Sequence, residues 1–150
     1  LKQFLAYLGN TPTLDILYTA TGDLSRDTEL MCYSDSDYAS NIDTCRSTSS
    51  SIITMCGGVI SHKVEAQKSV SLSTAEAELQ ALTSHVKEAV YLNRLRSQLG
   101  LSSSAPIIIN EDNKAAIDMV YRETYSSLLP FYPRSNQLQH YYNSAYRILR

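Results

Sequence analysis

The sequence predicts an α/β domain of three layers, a mixed sheet flanked by helices, and three observations carry that prediction. Two short runs rich in β-branched residues, Ser51 to Met55 and Val59 to His62, flank Cys56, Gly57 and Gly58 in the form of a hairpin. From Ser73 to Gly100 neither Gly nor Pro interrupts the chain, as one long helix requires. The continuous run Ile107, Ile108, Ile109 then has the pattern of a central strand covered on both faces.

Taken in order, LKQFLAYLG is a short amphipathic piece ended by Gly9, and TLDILY has the apolar enrichment of a short strand. After the polar stretch TATGDLSRDTE, residues Leu30 to Ala39 read as a strand that turns acidic near its end. NIDTCRSTSS is rich in turn residues and connects to the hairpin, which makes three sequential antiparallel strands. Ser73, with Glu76 three residues on, forms a capping box that starts the long helix. DNKAAIDMV follows the isoleucine strand as a short helix. ETYSSLLPFYPRS is turn-rich, with Pro130 and Pro133, and QLQHYYNSAYRILR has no clear assignment.

Composition bounds the function. The chain has 150 residues, is 43% hydrophobic and 19% charged, and carries a formal charge of −2, which fits one ordinary domain with a real core. That charge lacks the basic footprint of a tight nucleic-acid binder, so a nucleic-acid partner would be held through metals or neighbouring domains. The longest apolar stretch, Ile52 to Ile60, is far short of the roughly 20 residues of a membrane span, so no membrane partner is expected. The start lacks Met and a signal-peptide apolar region, and reads as the interior of a longer product. Cys32, Cys45 and Cys56 are odd in number with no C-x-x-C pair, which points to a reducing, intracellular setting.

Three acids stand where the elements bring them towards one sheet edge: Asp35, Glu78 and Asp112. Tyr33, Asp35 and Asp37 alternate onto one face of their strand, with the two carboxylates about 7 Å apart. A solvated strand end accounts for an isolated D-x-D equally well. On the long helix, Ala75, Leu79, Leu82, Val86 and Ala89 form an apolar stripe, and Glu78 lies only about 40° from Leu82, inside it. Glu76 lies about 120° away and serves the cap and the helix dipole. A carboxylate on a sheet-facing stripe costs free energy unless it is paired, protonated or bound to a cation. Asp112 follows the isoleucine strand at its carboxyl end, where open α/β sheets place ligands, and is equally placed to cap the next helix. Carboxylates from different elements are what a hard divalent cation needs. The histidines, His62, His85 and His140, show no metal-ligand spacing, and His85 reads as a boundary residue about 60° from Leu82. The eleven tyrosines read as boundary and core residues in a chain with no Trp.

The motifs carrying these residues resemble a known family. SDSDYASNIDTCRSTSS is similar to the S-D-A-D-W-A-G-D-x-x-x-R-R-S-T-S-G segment of copia-type retrotransposon Pol polyproteins, within their ribonuclease H domain. GGVISHK resembles G-G-x-x-I-S-W-K, and VSLSTAEAELQALTSHVKEAVYLNRL resembles V-A-L-S-T-T-E-A-E-Y-x-A-L-x-x-A-x-K-E-A-I-W-L-R-x-L. PIIINEDNKAAI resembles P-I-x-I-x-x-D-N-Q-S-A-I, and RSNQLQHYYNSAYR weakly resembles R-T-K-H-I-D-I-R-Y-H-F-I-R-E.

The resemblance implies a ribonuclease H-like three-layer fold, with a mixed five-stranded type of sheet, three antiparallel strands and then a parallel one, incomplete at its C-terminus. It implies residues 1–29 as a lead-in following a reverse transcriptase and 30–150 as the truncated ribonuclease H-like domain. By position it makes Asp35, Glu78 and Asp112 the catalytic and metal-binding residues of a two-ion Mg2+ site, with Mn2+ as the alternative. The implied activity is cleavage of the RNA strand of an RNA–DNA hybrid. The implied partners are that hybrid and the reverse transcriptase domain of the same polyprotein, in cytoplasmic virus-like particles and the nucleus. The family pattern also departs here. Its fourth metal-binding Asp comes further downstream than Arg150, and its R-R-S-T-S-G is Cys45, Arg46, Ser47, Thr48, Ser49, Ser50. A catalytically inactive remnant that keeps part of the fold is therefore the second reading.

Overall fold

The computed structural model describes residues 2–101, 107–121 and 146–149. In chain order these form α1 (Lys2–Asn10), α2 (Leu24–Asp27), β1 (Met31–Asp37), β2 (Thr48–Met55), β3 (Gly58–Ala66), α3 (Thr74–Gln98), β4 (Ile107–Asn110), α4 (Lys114–Tyr121) and β5 (Tyr146–Leu149). One five-stranded sheet has the order β3-β2-β1-β4-β5. β1, β2 and β3 pair antiparallel, whereas β4 is parallel to both β1 and β5. Three antiparallel strands followed by a parallel one, in a five-stranded mixed sheet, are what the resemblance implies.

The local causes are visible in the residues. Cys56 and Gly57 both have positive φ, 54° and 76°, the conformation a two-residue type I′ hairpin needs between β2 and β3. Ser73 caps α3: its side chain accepts the Glu76 N–H at 3.1 Å, while Glu76 Oε2 accepts the Leu72 N–H at 2.7 Å. α3 then crosses over β1 and β2 and buries Leu82, Val86 and Ala89 against Leu30, Cys32, Ile53, Ile107 and Ile109. Burial of side chains the size of Leu82 and Val86 is worth roughly 1.5 to 3 kcal/mol each, which anchors the helix to the middle of the sheet. No helix among the described residues is long and apolar enough to cross a membrane.

Several expectations need correction. TLDILY is not a strand: Leu14, Ile16 and Leu17 are exposed, and the segment is tied to the hairpin by Tyr18 Oη donating to the Val59 carbonyl and Thr19 N–H to that of Cys56. The helix α1 runs through Gly9 to Asn10. The polar stretch before β1 contains α2, capped by Asp23. β2 begins at Thr48, so Thr48, Ser49 and Ser50, read as turn residues, lie in a strand, where pairing with β1 supplies the ladder that propensity does not. His85 is fully buried and no boundary residue, because α3 is covered more widely than its stripe of apolar residues suggests. Tyr7, Tyr18, Tyr33, Tyr38 and Tyr91 are exposed, not core. Residues 122–145, including both prolines of the turn-rich segment, His140 and most of the weak C-terminal resemblance, lie outside the described residues. The segment QLQHYYNSAYRILR ends in β5.

Candidate metal centre

Two parallel strands end side by side at the candidate site. Tyr33 of β1 pairs with Asn110 of β4, so two residues further along each chain Asp35 and Asp112 stand at one level. Asp35 shares the exposed face of β1 with Tyr33 and Asp37, as the alternation predicts. Asp112 follows β4 in the loop to α4, and it is not the cap: Asn113 Oδ1 accepts the N–H groups of Ala115 and Ala116 at 2.9 and 3.2 Å. Glu78 reaches the same place from the second turn of α3. One carboxylate oxygen from each of Asp35, Glu78 and Asp112 lies within 4.8 Å of the other two. Asp37 and Glu76 are not in this set.

The electrostatics explain why Glu78 is the anomaly. It is only 7% exposed, and its Oε2 is buried without a hydrogen-bond partner. Burial pushes its carboxyl up to about 7; nearby Ser36 offsets this in part, and the carboxylates of Asp35 and Asp112 add to it. The Ser36 hydroxyl itself makes no hydrogen bond. Glu111, which the sequence reading passed over, is 2% exposed and is likewise pushed up to about 7, chiefly by burial, with the Asn113 N–H opposing and Glu78, Asp112 and Asp35 adding. The signal for Glu111 was present: the inward alternation of Ile107 and Ile109 continues to position 111. Among the described residues none of these four acids forms an ion pair.

The residues fit a hard divalent cation. All three converging donors are carboxylate oxygens from different elements, with no thiolate or imidazole among them, and one Glu78 oxygen, Oε2, is buried without a hydrogen-bond partner. Such a set suits Mg2+, Mn2+ or Ca2+ and not the metals that favour sulfur or nitrogen.

No family model matches the chain. Its relatives include the retrovirus-related Pol polyprotein from transposon TNT 1-94 of Nicotiana tabacum, 35% identical over 83% of this chain and 9% of that protein. A second is the retrovirus-related Pol polyprotein from transposon RE2 of Arabidopsis thaliana, 34% identical over 77% of this chain and 8% of that protein. A third is the secreted RxLR effector protein 161 of Plasmopara viticola, 37% identical over 61% of this chain and 62% of that protein. The chain thus spans less than a tenth of the length of these polyproteins. Among solved structures it is similar to LC11-RNase H1 isolated from compost, at 10% identity, 82% of this chain and 84% of that one, with a TM-score of 0.49. The N-terminal RNase H domain of rv2228c from Mycobacterium tuberculosis gives 13% identity, 79% and 71% coverage, and a TM-score of 0.46. These structural likenesses are weak, and the kinship rests on the sequence relatives. The chain is a homologue of one short segment of the retrovirus-related Pol polyproteins of plant transposons.

Proposed function

We propose that this chain is the ribonuclease H domain of a copia-type retrotransposon polyprotein, a metal-dependent endonuclease acting on the RNA strand of RNA–DNA hybrids. The observation that carries the reading is the meeting of Asp35, Glu78 and Asp112 within 4.8 Å, one of them buried with an unpartnered oxygen. Those three residues would hold Mg2+ or Mn2+, which when bound supplies activation of the attacking water and stabilisation of the leaving 3′ oxygen. Glu78, 7% exposed, forms the inner, buried side of the centre on α3. Asp35 and Asp112 are exposed, so the outer side is open to a phosphodiester. With a net charge of −2 the chain lacks an overall basic excess, and recognition of a nucleic acid would draw on shape, 2′ hydroxyls and a neighbouring reverse transcriptase domain. In this reading residues 1–29 connect the two domains.

The test is incubation of the purified chain with a labelled RNA–DNA hybrid and MgCl2, beside Asp35→Asn. Cleavage by the parent and at least a hundredfold less by the variant supports the assignment. Equal cleavage by both overturns the placement of the chemistry at this centre. A folded parent that does not cleave overturns the active reading in favour of the silent remnant.

A further inference from the structure

Glu111 lies beside the candidate centre without belonging to the three oxygens that meet there. It directly follows β4 and is 2% exposed, on the inward face that Ile107 and Ile109 occupy. Ile109 pairs with Cys32 of β1, and two residues further along the same register Glu111 comes level with Ser34, another buried inward position. Glu78 enters from α3, the helix packed on β1. Glu111 Oε1 accepts the Asn113 N–H at 3.1 Å, while its Oε2 is buried with no hydrogen-bond partner. Asp112 is its neighbour in the chain, and no Lys or Arg among the described residues forms an ion pair with it.

An acid in a protein interior is ordinarily matched by a base or by a full set of donors. Glu111 has one donor, one orphaned oxygen and the carboxylate of Asp112 next to it in the chain. That grouping is unfavourable in the protein alone and becomes favourable once a hard cation stands among the oxygens. Carboxylates just outside a ligand set orient the ligands and add to the field on the ion. We propose that Glu111 is a fourth carboxylate of the metal centre, a positioning residue that adds negative charge to the cation from outside the Asp35, Glu78 and Asp112 set. The inference rests on the metal-centre reading above. Its competitor is a neutral acid that merely fills an interior position, for which glutamine would be a faithful substitute.

The experiment is titration of the full chain with MnCl2, with free Mn2+ read by electron paramagnetic resonance, for the parent, Asp35→Asn, Glu111→Gln and Glu111→Asp. Circular dichroism melts in EDTA confirm folding of each. Glu111→Gln should bind Mn2+ about tenfold more weakly than the parent, the scale of a lost outer carboxylate. Glu111→Asp, which keeps the charge on a shorter arm, should stay within about threefold of the parent. Binding by Glu111→Gln within twofold of a parent that loses affinity on Asp35→Asn overturns this inference alone. Equal losses in the Gln and Asp variants overturn it too, because packing rather than charge would then be responsible. A folded parent that binds no Mn2+, or binds it equally well as Asp35→Asn, overturns the metal centre itself.

Discussion

Glu78→Gln measures what the centre costs the fold. In the folded chain burial, together with Asp35 and Asp112, lifts the Glu78 carboxyl from its ordinary 4.5 to about 7. The folded state therefore holds a proton that the unfolded chain has already released. The stabilisation from that proton is complete below pH 4.5 and is lost as pH rises through 7. A difference of that size amounts to about 3 kcal/mol if fully expressed. Exposed Asp35 and Asp112 admit solvent beside the group, and Glu111 competes for the same field, so about 1 to 2 kcal/mol is the expected share. Glutamine keeps the shape without the charge. In EDTA, urea melts of the parent should lose about 1 to 2 kcal/mol between pH 5 and pH 8 relative to Glu78→Gln. At pH 8, MgCl2 should stabilise the parent and leave the variant unchanged, since only a ligand that binds the folded state shifts its stability. Stabilities of parent and variant that run parallel across this pH range, with no separate response to MgCl2, would refute the reasoning.

Two further substitutions address the surroundings of the centre. His85 is 1% exposed with neither ring nitrogen partnered, and burial pushes it down to about 4, so its contribution is present above pH 6.5 and lost as pH falls towards 4. The stability of His85→Leu relative to the parent should rise by up to about 3 kcal/mol between pH 7 and pH 4 in urea melts, and a constant difference would exclude a buried neutral imidazole. Gln67, at the end of β3, donates from Nε2 to Ser49 Oγ at 2.9 Å and to the Ala77 carbonyl at 2.8 Å, and its Oε1 accepts from Ser71 Oγ at 2.9 Å. Gln67→Ala removes three buried hydrogen bonds and should lower stability by about 2 to 4 kcal/mol; thermal melts showing a loss under about 0.5 kcal/mol would mean the network is dispensable.

The parts of the site that could be read from the sequence are those fixed by a local period. Helical geometry alone separates Glu78, inside the apolar stripe of α3, from Glu76 at its cap, and strand alternation alone puts Asp35 on the face of Tyr33 and Asp37. Glu111 escaped because an acid next to Asp112 and Asn113 looks like loop, although it prolongs the inward alternation of Ile107 and Ile109. Thr48, Ser49 and Ser50 of β2 escaped because their strand state depends on Asp37, Ser36 and Asp35 across the ladder, a long-range fact with no local signature. The same holds in reverse for TLDILY, whose composition suits a strand but which pairs with none.

The seam between α3 and the sheet changes character along its length. Near the middle of the helix, Leu82, Val86 and Ala89 meet Cys32, Ile53 and Ile109 in a dry contact. Towards the helix N-terminus the same seam holds Ser34, Ser36, Glu78 and Glu111, each with a buried side-chain oxygen that lacks a partner. Each such atom works against folding, typically by 1 to 3 kcal/mol, and the two carboxyls repel as soon as both are charged. The apolar half can tolerate this because α3 is a single rigid rod: fixing its middle also fixes where its second turn stands. A helix so anchored holds Glu78 against Asp35 and Asp112 even when their charges would drive them apart. The strain that makes this end of the seam unfavourable on its own is therefore available to favour whatever cation relieves it, and affinity for the ion and instability without it have one physical origin.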